Sequence, residues 1–510
     1  MPETAIFLGA VSTGSGPDDG GPSPQLLQLK YANRHGLIAG ATGTGKTVTL
    51  QVLAQGFAEL GVPVFAPDMK GDLAGIAQAG TMKDALAERA RAIGLADYRL
   101  AGCTVCLWDL FARQGLPIRT TISEMGPLLL GRLMALNDVQ SGVLDIAFKV
   151  ADEEGLLILD LKDLRAVLAF LADNAQAVSA QYGNVTRASV GSIQRQLLSL
   201  EAQGAEGFFG EPALEFADLM RTDAEGRGVV NILAADGLLT HPKLYATFLL
   251  WLMSELFEQL PEVGDPEKPK LVFFFDEAHM LFDDAPKALV DKIELMVRLI
   301  RSKGVSVWFV TQSPLDIPES VLGQLGNRVQ HALRAFTPAD KRAVAAVGDT
   351  FRQNPGFAAA EVIPELGIGE ALVSTLGAKG IPSVVERVLI RPPSSRMGPI
   401  SEDERRAAIA ASGLGPKYAT EIDRDSAHEM LQRRAAGHGE VQPPADGGWG
   451  GKPIRRPADG WGRAAEARPT SRSGNRQGVG EAFAKSVVRS AGSQIGRQVV
   501  RGLLGSLFGR

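Results

Sequence analysis

The chain has 510 residues but only two cysteines and six histidines, and aromatic side chains make up 6% of it. Two cysteines cannot build a disulfide framework or a four-thiolate zinc site, and such sparing use fits a reducing cytoplasm. Cys103 and Cys106 do form a C-x-x-C, yet they lie in "GCTVCLWDL", an apolar run that reads as a strand, with no histidine close by in sequence. Two small buried side chains are the simpler reading of that pair. No uninterrupted apolar stretch reaches the roughly 18 residues that a membrane-spanning helix needs. The opening "MPETAIFLGAVSTGSG" lacks the basic start and long apolar core of a secretory leader. A cytoplasmic location is therefore expected.

A strong net charge is absent too, at −5, but the sum hides an asymmetry. From Gly447 to Arg510 there are 12 basic and 3 acidic residues. A basic tail on an acidic body suggests a contact segment for an anionic surface.

What is present is an alternation of apolar strands and helical stretches, the pattern of an α/β protein with a parallel-rich sheet. Residues 1–36 are short and contain a turn-rich run, Gly14–Pro24. His35–Gly40 reads as a buried strand, Thr47–Leu60 as a helix and Val62–Asp68 as a second strand, with Asp68, Lys70, Gly71 and Asp72 at its end. The carboxyl edge of such strands is the usual place for function. "TVCLWDL" supplies a third strand. Gly226–Asp236, Lys268–His279, Val305–Pro314, Arg328–Phe336 and Glu370–Leu376 contain later ones, at least seven in all. His241–Leu260 and Pro286–Lys303 read as helices. The expected organisation is a first part of the core at 1–120, a helical insertion at 121–205 and a second part of the core at 206–395. A charged helical extension follows at 396–436, then a flexible linker rich in Gly, Pro and Arg at 437–480, and a basic amphipathic helix at 481–510.

Two motifs carry chemistry. "GATGTGKT", with Val48 following, fits G-x-x-x-x-G-K-[ST] through Gly40, Gly45, Lys46 and Thr47. Glycines let backbone N–H groups of Gly40, Ala41, Thr42, Gly43, Thr44 and Gly45 converge on phosphate oxygens, and the helix that follows adds its dipole. Lys46 would supply positive charge to the β- and γ-phosphates, and the Thr47 hydroxyl would be a magnesium ligand. "LVFFFDEAH" places Asp276 at a strand end, where a carboxylate can hold the metal through water. Glu277 beside it can polarise an attacking water. His279 reads as a structural histidine. Thr311 and Gln312, ending "VWFVTQSP", are candidates to sense the γ-phosphate, against a plain strand-to-loop turn. A site shared between subunits also needs an arginine from the neighbour. Arg298, Arg301, Arg328, Arg334 and Arg352 are candidates, and Arg34 is one within its own subunit, although for any single one a surface ion pair is the simpler role.

With "DMKGDLAG", "FFGEPALEFADL", "LLWLMSELFEQLPEVGD", "FFFDEAHMLF", "IRSKGVSVWFVTQSP" and "NRVQHALRAFTP" added to the phosphate loop, the chain resembles the bacterial HerA-like ATPases of the YjgR type. The likeness runs over about residues 5–395 and includes the closing "GSQIGRQVVRGLLGSLFGR". The resemblance implies a RecA-like P-loop fold with an additional strand and a catalytic glutamate, grouped with HerA and FtsK. It also implies ATP with Mg²⁺, a hexameric ring and DNA passed through a central channel. By it, Gly45, Lys46 and Thr47 bind phosphate and metal, Asp276 and Glu277 form the Walker B pair, and Gln312 is the sensor. HerA itself carries an N-terminal β-barrel that engages a nuclease. Here the phosphate loop begins at Gly40, so that barrel is not expected before it.

Three functions stay open on these residues: a nucleic-acid translocase, an ATPase acting on protein or at a membrane surface through residues 481–510, and a nucleotide switch with little turnover. Glu277 argues against the last, since a switch needs no base in place.

Overall fold

The computed structural model describes residues 4–11, 22–283 and 287–437. They contain one sheet of 12 strands. In chain order these are β1 (Ala5–Val11), β2 (Ser23–Gln28), β3 (Gly36–Ala39), β4 (Val64–Asp68), β5 (Val105–Asp109) and β6 (Leu116–Pro117). There follow β7 (Val230–Ala234), β8 (Leu271–Phe275), β9 (Val305–Thr311), β10 (Asn327–Gln330), β11 (Glu370–Ser374) and β12 (Glu386–Ile390). Their order across the sheet is β2-β1-β12-β11-β10-β3-β9-β8-β4-β7-β5-β6. From β10 to β6 every pairing is parallel, and from β10 outward to β2 every pairing is antiparallel. The expected α/β class with a parallel-rich sheet is what the chain adopts, and β9 is the additional strand, set between β3 and β8.

The central strands β3, β4, β8 and β9 are buried at every position because both faces are covered. In β8 and β9, alternate side chains point to opposite faces. Leu271, Phe273, Phe275, Val305, Val307 and Phe309 join one core, and Val272, Phe274, Trp308 and Val310 join the other. The second core is roofed by the helix Lys46–Glu59 through Leu53 and Phe57. The first is roofed by the helix Pro242–Gln259, whose Phe248 and Trp251 are buried, and it continues into the helices Ile122–Leu133, Asp138–Glu154, Leu161–Asp173, Ala175–Tyr182 and Arg187–Ala202. Leu130, Leu144, Leu164, Leu168, Ile193 and Leu197 of those helices are fully buried, at the three-to-four-residue spacing of an apolar stripe. Their starts are written locally: Thr121 with Glu124, Asn137 with Gln140 and Asp160 with Asp163 form reciprocal capping boxes.

Several readings need correction. Among the first 36 residues stand two strands not expected there, β1 and β2, which pair antiparallel and extend the sheet edge. The strand expected over Arg328–Phe336 ends at Gln330, because the backbone beyond it turns to pair with the loop after β3. The helical extension expected at 396–436 is built of three separate helices. It breaks after Glu402–Ala411 at Gly413, where φ is +68°, and resumes as Gly415–Tyr418 and Ala427–Gly437. The expected linker, but for Gly437, and the expected basic helix 481–510 lie outside the described residues.

His35 ties β3 to its neighbours. Its buried ring donates from Nε2 to Val297 O at 2.7 Å and accepts at Nδ1 from Val307 N at 3.0 Å, which requires the neutral tautomer. Burial pushes its pKa down to about 4. The unfolded chain therefore takes up a proton near pH 6.5 that the folded chain refuses until about pH 4. The stability owed to His35 should be complete above pH 6.5 and should fall through the window from 6.5 to 4, by about 1.4 kcal/mol per pH unit. Thermal unfolding followed by circular dichroism at stepped pH should show His35→Gln, which does not titrate there, losing stability less steeply than the unaltered protein by that amount.

Candidate functional site

The residues singled out in the sequence meet at one edge of the sheet. Ala39 lies level with Thr311, and Phe275 with Phe309. The register therefore sets the ends of three adjacent strands, β3, β9 and β8, side by side. Gly40, Gln312 and the pair Asp276–Glu277 leave those ends. Neighbouring strands sit about 4.8 Å apart, so the loop after β3 and the acidic pair after β8 are separated by roughly 10 Å, with β9 between them. A phosphate and an attacking water fit in that space.

The loop Gly40–Thr47 turns from β3 into the helix Lys46–Glu59. Gly40, Gly43 and Gly45 have φ of +152°, +78° and +116°, conformations that side chains disfavour. At Gly40 space is also lacking: a Cβ there would lie 2.5 Å from His331 Cβ. The loop is fastened from below. Ala41 N donates to Ala332 O at 2.8 Å and Gly40 N to Thr311 O at 3.3 Å. His331 is fully buried under the loop, its Nε2 2.8 Å from Thr49 Oγ1 and its Nδ1 2.9 Å from Glu370 O. Burial pushes its pKa down to about 4, so it is neutral and adds no charge beneath the loop.

Lys46 folds back over the loop and donates to Gly40 O at 2.6 Å and Ala41 O at 3.2 Å. Burial lowers its pKa, and the carboxylates of Glu277 and Asp276 act in the opposite sense, which puts them within electrostatic reach of the ammonium. The hydroxyl of Thr47 has no hydrogen-bond partner among the described residues.

Asp276 accepts a hydrogen bond from Glu277 N at 3.0 Å, and its carbonyl accepts one from the Tyr245 hydroxyl at 2.8 Å. Burial, reinforced by Glu277 alongside, pushes its pKa up to about 7. Glu277 has φ +48° and ψ +50°, a left-handed conformation that costs a non-glycine residue about 1–2 kcal/mol. Its Oε2 is buried without a hydrogen-bond partner, 3.5 Å from His279 Nδ1. Two crowded carboxylates, an orphan oxygen and an idle hydroxyl on the facing helix are a donor set suited to a divalent cation with phosphate. Thr47 and Asp276 are the residues that would hold Mg²⁺.

The remaining expectations divide. Gln312 is exposed beyond the end of β9, facing the same edge, whereas Thr311 spends its hydroxyl on Asp316 Oδ2 at 2.7 Å. Asp68 is level with Asp276 on the neighbouring strand, but its carboxylate is occupied by the N–H groups of Asp72, Leu73 and Ala74 and shapes that loop. Arg34 precedes β3, Arg301 precedes β9 and Arg328 lies at the start of β10, so all three sit at the opposite edge of the sheet from the phosphate loop. Arg34 is 3.9 Å from Asp265, Arg301 pairs with the same carboxylate, and Arg328 donates to Leu322 O, Leu325 O and Thr350 O. The reading of Arg34 as a finger within its own subunit is therefore wrong. Arg352 holds Pro382 O, Arg298 is exposed on its helix, and only Arg334 follows a strand onto the phosphate-loop edge, where it holds Pro364 O. A small cavity of about 10 Å³ at the ends of β4, β5 and β7, between Asp68, Asp236 and Arg405, has room for one water and lies on the far side of β8 from the loop. Sequence reasoning missed His331, Tyr245 and the Gly367–Glu370 turn, in which Gly369 N donates to Thr44 O at 3.0 Å. Nothing local in their sequence marks them, since their role comes from strands that are distant in the chain.

The family model described as "Helicase HerA-like C-terminal" matches residues 17–510. The chain belongs to this HerA-like family. Membership, with the strand-edge geometry, supports an ATPase. No curated protein matches the chain. Among solved structures, VirB4 of Thermoanaerobacter pseudethanolicus aligns at 16% identity and a TM-score of 0.49, covering 76% of this chain and 96% of VirB4. The bacterial conjugative coupling protein TrwBdeltaN70 aligns at 14% identity and a TM-score of 0.46, covering 77% and 97%. TrwB in complex with ADP and Mg²⁺ aligns at 14% and 0.46, covering 78% and 99%.

The loop's tight contact at Gly40 makes a direct test. Gly40→Ala should displace His331 or the loop and weaken Mg²⁺–nucleotide binding by an order of magnitude or more in titration calorimetry. Gly43→Ala, where a Cβ meets no atom within 4 Å, should lose less.

Proposed function

We propose that this protein hydrolyses ATP with Mg²⁺ and uses the energy to move DNA as part of a homo-oligomeric ring, and that within the HerA-like family it is of the YjgR type. The observation that carries the ATPase reading is the register that puts the phosphate loop, the end of β9 and the acidic pair on three neighbouring strands. The nucleotide's phosphates lie in Gly40–Thr47. Lys46 exchanges its two carbonyl partners for phosphate oxygens, and Thr47 and Asp276 would hold the metal, which when bound would neutralise phosphate charge. Glu277 accepts the proton of the attacking water, and Gln312 meets the γ-phosphate. The strained backbone at Glu277 supports that role, since a residue held in a sparsely populated conformation is held for a reason.

DNA as cargo rests on the family, whose model is described as a helicase. An arginine reaching the site from a neighbouring subunit belongs to the same proposal, with Arg301, Arg328 and Arg334 as candidates. The basic segment 481–510 supports a second reading, in which the ATPase works on a protein or at a membrane surface. Among the described residues no helix is long and apolar enough to cross a membrane.

Steady-state ATP hydrolysis with and without double- and single-stranded DNA separates these. DNA should raise turnover at low salt, and the effect should fade steeply as salt rises. Lys46→Ala should abolish turnover, and Glu277→Gln should lower it about 100-fold or more while leaving nucleotide bound. Turnover indifferent to DNA would move the cargo to protein or membrane. No turnover in the unaltered protein would overturn the ATPase.

A further inference from the structure

The nucleotide reading assigns the phosphates and leaves the nucleoside end without a partner. Glu277 fixes the direction of the nucleotide. The terminal phosphate must face β8, so the base extends to the other flank of the loop, over β10 and β11. On that flank stand the two most exposed large apolar side chains of the described residues, Phe336 at 86% and Ile368 at 73%. Their positions are built rather than incidental. The segment leading to Phe336 is bonded to the loop through Ala41 N and Ala332 O at 2.8 Å, and the segment carrying Ile368 through Gly369 N and Thr44 O at 3.0 Å. Arg334 Nη1 joins the two segments through Pro364 O at 3.0 Å. Phe336 N is anchored on Asp340 Oδ2 at 3.0 Å, and Ile368 O accepts from Arg89 Nη2 at 3.1 Å. Below them Ala332, Leu366 and Leu372 share one buried core. Two apolar side chains are thus held up to solvent on a braced ledge beside the phosphate loop.

We propose that Phe336 and Ile368 form the platform on which the nucleotide's base rests. This rests on the phosphate-loop reading. Every base has a flat π-face, so an aromatic ring with an aliphatic neighbour binds bases by stacking with little regard to their hydrogen-bonding edges. The platform accounts for affinity and gives little selection between adenine and guanine.

The test titrates the full-length protein with a non-hydrolysable ATP analogue, with its GTP counterpart and with inorganic tripolyphosphate, each with Mg²⁺. Phe336→Ala should weaken both nucleotides about tenfold or more and leave tripolyphosphate unchanged, Ile368→Ala should weaken them less, and Phe336→Tyr should restore affinity. Unchanged tripolyphosphate binding also reports an intact fold. Nucleotide affinity equal in the unaltered protein and Phe336→Ala overturns the platform while sparing the phosphate loop. If the oligomer then dissociates, the ring lies between copies of the chain instead. An unaltered protein that binds neither nucleotide nor tripolyphosphate overturns the phosphate-loop reading itself.

Discussion

Parallel strands cannot be joined by a tight turn. Each crossover must leave one edge of the sheet, cross a face and return at the other, so every loop that follows a parallel strand lands on the same edge. In this chain β3, β4, β5, β7, β8, β9 and β10 run in one direction. Their ends deliver Gly40, Asp68, Asp109, Asp276, Gln312 and His331 to one rim. Burial of alternate side chains in two separate cores locks the register, because slipping a strand by one residue would exchange its two faces. The site is a consequence of that lock. Lys46 and Glu277 are 231 positions apart in sequence, and no local interaction brings them together.

The rim also shows how the fold separates shaping from acting carboxylates. Asp68 and Asp109 each end a parallel strand, and each is filled by backbone N–H groups of the loop that follows. Asp276 ends a strand in the same way but accepts from one N–H only, and Glu277 beside it has an oxygen with no hydrogen-bond partner. A carboxylate whose lone pairs are used locally stabilises a turn, whereas one left wanting is poised for an incoming cation or water.

Parts of this were legible in the chain because they depend on local pattern. The glycine spacing of the phosphate loop, the "LVFFF" run before Asp276 and the apolar stripes of the insertion helices each state their structure within a dozen residues. The antiparallel flank was not legible. β2, "SPQLLQ", carries a proline and faces a bulge at Phe7–Gly9, so it has no clean alternation. The length of β10 was misjudged because the apolar letters continue past Gln330 while the backbone leaves the ladder to brace the phosphate loop. His331 reads as one histidine in a strand, and only the approach of Gly40 and Thr49 gives it a place.

The polar letters of the helix Lys46–Glu59 mislead for the same reason. Thr47, Gln51 and Gln55 recur every four residues and so share one helix face, which in isolation reads as the solvent side. Thr47 stands at its first turn, yet Gln51 and Gln55 are buried. The chain leaving β12 covers them. Gln51 Nε2 donates to Ser395 Oγ at 2.8 Å and to Arg396 O at 2.9 Å, and Gln55 Oε1 accepts from Ser394 N at 3.1 Å. Backbone groups of a strap laid over a helix must find partners, and amides that both donate and accept can satisfy them where leucines could not. The strap then runs on to Tyr418, whose ring meets Trp108 edge-on at 5.2 Å, and to the helix Ala427–Gly437 against Leu161–Asp173. One continuous segment thus grips the phosphate-loop helix at one end and the helical insertion at the other. Its joint to the phosphate-loop helix is made of directional hydrogen bonds, each worth about 1 kcal/mol net, and not of a greasy contact that would tolerate sliding. The rotation of that helix is therefore held from two sides, by the strap on Gln51 and Gln55 and by the core on Leu53 and Phe57.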